Sequence, residues 1–117
     1  MTREVRLELP RDATAPRRAR QLVEEHTGAL EGERRDAIAL LVSELVTNAL
    51  LHGEGDIVLT LEPRGQVLRV EICDHGRAHP HVRETAGADG GWGLRLVDAM
   101  ALRWGLGQDA TRVWFEL

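Results

Sequence analysis

The stretch Ser43-Glu-Leu-Val-Thr-Asn-Ala-Leu-Leu-His-Gly53 places polar side chains where a helix should bury apolar ones. At about 100° per residue, Ile38, Val42, Leu45 and Ala49 fall along one line, flanked by Leu41 and Val46, and this line predicts a core-facing stripe. Glu44, Asn48 and His52 form a second row at four-residue steps. Four residues overshoot a turn by about 40°, so the row drifts toward the stripe and His52 ends nearly inside the apolar face. The row rises about 12 Å, roughly the length of a nucleotide's phosphate tail. A carboxylate withdrawn from water is costly unless it is paired or hydrogen-bonded, so Glu44 at the margin of a core argues for a lined cleft. The plainer alternative sets Glu44 and Asn48 on a wet shoulder and makes His52 a satisfied core histidine. This stretch alone leaves both open.

The 117 residues suit one domain, spanning 1–117, with a single core and no room for a second. A formal charge of -4 argues against a nucleic-acid binder, whose usual footprint is a basic face. All 15 basic residues are arginine, so any cationic contact to phosphate must come from a guanidinium, and mechanisms that need a lysine are excluded. Cys73 is the single cysteine and cannot form an internal disulfide. No charged-then-apolar leader or long apolar run precedes the fold, so the expectation is a cytoplasmic protein with no membrane contact.

Working outward, Val5, Leu7 and Leu9 alternate with charged residues, which predicts a half-buried strand ending at Pro10. Thr14 offers an N-cap oxygen and Pro16 suits the first turn of a helix running toward Thr27, with Gly28 as its stop. Arg17, Arg18 and Arg20 read as a solvated face. The central helix spans Glu31 to Leu51. Alternation over Ile57–Glu62 and again over Val67–Ile72, around a turn at Pro63 to Gly65, predicts an antiparallel hairpin. Cys73 reads as a small buried strand residue, with no cationic neighbour to make it a nucleophile. From Arg77 to Gly90 periodicity is lost, as in a lid or binding loop. A helix follows from Leu94 to about Leu102, and strands from Arg103 to Gly107 and Arg112 to Leu117. The order predicts an α/β two-layer sandwich, an antiparallel or mixed sheet covered on one face by helices.

Two further signals join the central helix. Asp74-x-Gly76 follows a strand end, where an aspartate can accept from an exocyclic amine and a glycine admits a flat ring. Gly91-x-Gly93-Leu94 opens a helix, whose free N-terminal amides favour anions. His75, His79 and His81 lack any recognised metal-ligand spacing and read as lid surface.

A glutamate-to-asparagine helix, then strand-Asp-x-Gly, a variable loop and Gly-x-Gly-Leu on a helix resembles the GHKL ATPase superfamily with its Bergerat nucleotide fold. The E-L-V-T-N-A-L-L-H-G run, D-H-G, G-W-G-L-R-L-V-D-A-M, and the closing R-W-G and V-W-F-E-L look like the small bacterial anti-sigma factor serine/threonine kinases. The resemblance covers nearly the whole chain. It implies ATP and magnesium as cofactors, with Asn48 as magnesium ligand, Glu44 as general base, Asp74 as adenine reader and Gly76 beside the ring. Gly91, Gly93 and Leu94 match the phosphate-binding hinge, and His52 borders the nucleotide. Trp92 stands where close relatives carry arginine, so Arg95 or a lid arginine, Arg77 or Arg83, must replace that charge. Ala110-Thr111-Arg112-Val113-Trp114 stands where relatives have Gly-Lys-Thr-Val-Trp. That shift leaves two placements open, Thr111 reaching the base or Arg112 covering the site.

The implied function is a kinase that phosphorylates a STAS-type anti-sigma-factor antagonist and so frees or holds a sigma factor. The alternative is an ATP-binding regulatory module that captures a sigma factor or other partner without transfer. Homodimerisation is common in the family resembled.

Overall fold

The computed structural model describes residues 4–28, 30, 32–75, 92–107 and 111–117. Along these the chain forms strand β1 (Val5–Leu9), helices α1 (Ala15–His26) and α2 (Gly32–His52), and strands β2 (Ile57–Arg64) and β3 (Val67–Cys73). Helix α3 (Trp92–Met100) and strands β4 (Arg103–Leu106) and β5 (Arg112–Glu116) complete them. The strands make one five-stranded sheet in the order β1-β2-β3-β5-β4, antiparallel at every pairing. The expected two-layer α/β sandwich is therefore present, with its sheet antiparallel rather than mixed.

Opposed residues of an antiparallel pair share a face, and two apolar rows cross all five strands. Leu7, Leu59, Ile72, Val113 and Leu106 form one, and Val5, Leu61, Val70, Phe115 and Trp104 the other. The α2 stripe closes over them: Ile38, Leu41, Val42, Leu45, Val46 and Ala49 are all buried. Helix α1 packs on α2 and buries Ala15, Ala19, Leu22 and Val23. No described helix is long and apolar enough to cross a membrane.

Local chemistry departs from the sequence expectation at four points. Thr14 is itself helical and makes no capping bond; Asp12 does that work, its carboxylate accepting from the Thr14 amide at 2.7 Å and from the Thr14 hydroxyl. Those two bonds hold the Asp12 carboxyl below its ordinary range. Pro63 lies inside β2 rather than in the turn, which is Gly65-Gln66 with Gly65 at φ +62°. Proline is tolerated there because β2 has run past its last pairing with β1, Val5↔Leu61, and no ladder bond is asked of its nitrogen. Helix α3 begins at Trp92, inside the Gly-x-Gly box, because first-turn amides have no intrahelical acceptor and glycine costs least there. His52 is half buried rather than deep in the apolar face, since α2 ends at that residue and its neighbour Leu51 is exposed.

Glu116 lies on the sheet face opposite the core, yet it is only 2 % exposed. Its cross-strand partners are Arg69 and Arg103. Arg103 donates to it through Nε at 3.0 Å and also through Nη2, while Arg69 Nη1 lies at 3.4 Å. Arg69 also stacks 4.0 Å from the Trp114 ring centroid, and Trp114 in turn lies against Gly105. The Arg103 hydrogen bonds, opposed by burial, hold the Glu116 carboxyl below its ordinary value of 4.5. Because folding lowers this pKa, the stabilisation is complete above the unfolded value and is lost as pH falls through the folded one. Glu116→Gln is expected to cost about 1–3 kcal/mol at pH 7, since Arg69 is left partly buried without its charge partner and the buried amide loses its charge-assisted bonds. It should also flatten the acid limb of stability. Urea midpoints from pH 3 to pH 7 check this, and parallel profiles for both proteins would count against it.

Candidate functional site

The chain leaves β3 at Cys73, returns through α3 to the sheet edge as β4, and then turns back to insert β5 between β4 and β3. That insertion sets the start of β5 beside the end of β3. Cys73 opposes Arg112, and the Asp74 amide donates to the Thr111 carbonyl at 3.0 Å. The last turns of α2 lie over this corner. Asn48, Asp74 and Thr111 thus line one crevice of about 10 Å³, walled by Leu45, Ala49, Ile72 and Val113. This is about the space of a single water. A larger hollow of about 580 Å³ lies elsewhere, between Leu40, Met100 and Leu117, with Glu33, Arg34 and Asp36 also in its lining.

Asp74 is 5 % exposed and Asn48 is 7 % exposed. No hydrogen bond engages the Asn48 carboxamide among the described residues, although it faces the crevice. Leaving such a group unsatisfied costs about 1–3 kcal/mol, so a polar partner, a water included, is favoured beside it in the crevice. Glu44 is half buried one turn earlier on α2, about 6 Å along the axis, and it does not line the crevice. Arg112 points to the outer face, where its Nε meets Glu71 at 3.4 Å, so of the two placements it is Thr111 that stands at the crevice. Leu94 packs on the core, and Arg95 is exposed on α3. Gly93 falls within α3, while Gly76, Gly91, Arg77, Arg83, His79 and His81 lie outside the described residues. His75 is exposed, and among the described residues no three His, Cys, Asp or Glu side chains could hold a metal ion.

Sequence pattern assigns no role to two residues of this corner, Gly53 and Arg11. A Cβ on Gly53 would stand 2.3 Å from Asp74 Oδ2 and 2.7 Å from the Ala49 carbonyl oxygen, so the end of α2 and the Asp74 carboxyl meet at a spot only glycine fits. Arg11, from the β1–α1 loop, donates into the carbonyls at that same helix end. On β1, away from the crevice, a hydrogen bond shared with Asp56, together with the charge of Asp56, raises the Glu8 carboxyl above its ordinary range, while Arg6 and His75 act the other way.

The donor set suits a purine nucleotide. A buried carboxylate is an acceptor for an exocyclic amine, and a carboxamide oxygen such as that of Asn48 can serve as a ligand to magnesium alongside phosphate oxygens. The fold is similar to that in the crystal structure of the RsbU and RsbW domains of Rv1364c from Mycobacterium tuberculosis, with a TM-score of 0.73 at 22 % identity. That likeness covers 99 % of this chain and 31 % of the other, so this chain spans about a third of the length of the chain it matches. No curated protein matches in sequence. Residues 9–116 match the model of the histidine kinase-like ATPase domain, and with nearly its whole length inside that match the chain belongs to this GHKL family.

Proposed function

We propose that the protein is an ATP- and magnesium-dependent serine/threonine kinase of the anti-sigma factor type, acting on a STAS-type antagonist to set the availability of a sigma factor. The observation that carries this reading is the Asn48 carboxamide, buried in the crevice it shares with Asp74 with no hydrogen bond among the described residues, and with Glu44 one helical turn away. Asn48 would hold the magnesium ion, which supplies charge neutralisation on the phosphates. Asp74 accepts from the adenine amine, and Thr111 stands beside it. Glu44 takes the proton from the acceptor hydroxyl as its oxygen bonds to the γ-phosphorus and the bond to the departing ADP breaks.

The direct test is incubation with labelled ATP, magnesium and the STAS-type protein encoded nearest the gene. Label should move to a serine or threonine of that protein. The binding half has its own test. Asp74→Asn removes a charge-assisted hydrogen bond worth about 1.5–3 kcal/mol and is expected to weaken ATP binding roughly 10- to 150-fold by calorimetry. Unchanged affinity would refute the role of Asp74.

A second reading is supported by the position of Glu44, half buried yet outside the crevice. On that reading the protein is an ATP-binding module that captures a sigma factor or other partner without transferring phosphate. Tight ATP binding, with no label moved and no ADP formed over hours, selects it.

A further inference from the structure

Arg11 is half buried, and its guanidinium reaches four carbonyls. Nη2 donates to Ala49 at 2.8 Å, to Leu50 at 3.1 Å and to Gly53, and Nη1 donates to Gly55 at 3.2 Å. Ala49 and Leu50 belong to the last turn of α2, where carbonyls run short of intrahelical donors and the helix dipole favours a cation. Gly53 and Gly55 belong to the turn that carries the chain into β2. A single planar fork therefore ties the helix end to its own exit turn.

That turn is the surface on which the end of β3 rests. Gly53 abuts the Asp74 carboxyl, as the 2.3 Å approach of its notional Cβ shows. Glu54 accepts from the His75 amide at 2.9 Å, and Gly55, at φ +71°, lies against the His75 ring. Each contact of residues 53–55 with the site thus falls on Asp74 or the residue after it.

We propose that Arg11 is a positioning residue for base recognition: by holding the carbonyls of residues 49, 50, 53 and 55, it keeps Gly53 against the Asp74 carboxyl and so sets the direction in which that carboxylate meets an exocyclic amine. The inference rests on Asp74 being the base reader, and it concerns discrimination between bases rather than affinity for phosphate. Lysine is a poor substitute, because an ammonium is a compact charge without the fork that spans all four oxygens.

The test compares dissociation constants for ATP and inosine triphosphate, which carries a carbonyl in place of the amine, in wild type, Arg11→Met, Arg11→Lys and Asp74→Asn. Binding is measured at a temperature where urea curves show each variant folded. Wild type should prefer ATP, and Asp74→Asn should lose most of that preference. Arg11→Met should lower the ATP-to-inosine ratio by about fivefold or more, with inosine triphosphate affinity moving less than about twofold, as expected when one hydrogen bond is misdirected. Arg11→Lys should restore less than half of that loss, leaving its own ATP-to-inosine ratio about twofold or more below wild type, and this fall carries the test alone if the methionine variant does not fold. Equal losses for both nucleotides, or a ratio kept by both Arg11 variants, overturns the role of Arg11 and leaves Asp74 standing. A wild type that binds ATP without preferring it removes the base-reading premise itself.

Discussion

Glu44→Gln is expected to lower phosphoryl transfer about 10²- to 10⁴-fold, the range in which a positioned general base contributes, while leaving ATP affinity within about threefold. The two effects separate because Glu44 does not line the crevice that Asn48, Asp74 and Thr111 share. The amide is nearly isosteric and forms helix about as well as the acid, so α2 and its buried stripe should be undisturbed. What it lacks is a site to receive a proton. The measurement is the single-turnover rate of label transfer to the antagonist beside a calorimetric ATP titration. A glutamine variant that transfers label at the wild-type rate would remove Glu44 from the chemistry. A loss of binding equal to the loss of rate would make it a nucleotide contact instead.

Gly53→Ala should damage the protein through one methyl group. Its carbon would stand 2.6 Å from Asp74 Cγ and 2.7 Å from the Ala49 carbonyl oxygen, both far inside contact distance. The carboxyl can swing aside, but Ala49 O is backbone in the last turn of α2 and also accepts the Gly53 amide at 2.8 Å. Overpacking of this kind costs about 1–3 kcal/mol, roughly 4–12 °C in melting temperature for a chain of this size. Relief by moving Asp74 spares stability and loses the base contact; relief by opening the helix end loses both. ATP affinity is therefore expected to fall at least tenfold, as for Asp74→Asn. An alanine variant that binds ATP like wild type would show that Asp74 does not need this seat.

Much of this corner was legible from local pattern. The stripe Ile38, Val42, Leu45 and Ala49 is buried as its period requires, and the alternation in β5 puts Val113 and Phe115 inward. The same alternation set Glu116 outward, but not its burial, which comes from Arg69 and Arg103 on two different strands. The Thr14 cap failed because Asp12, two residues earlier, competes for the same hydroxyl and amide.

By itself the sequence determined the elements and the layer that each faces, because burial of apolar area has no direction and its period is written within a few residues. The tertiary structure alone decided what meets at the site. Inserting β5 beside β3 brought Thr111 to Asp74, and the loop after β1 sent Arg11 to carbonyls 38 to 44 residues away. Hydrogen bonds and close glycine contacts depend on ångström placement between segments far apart in the chain, and that placement follows from strand order rather than from any local period.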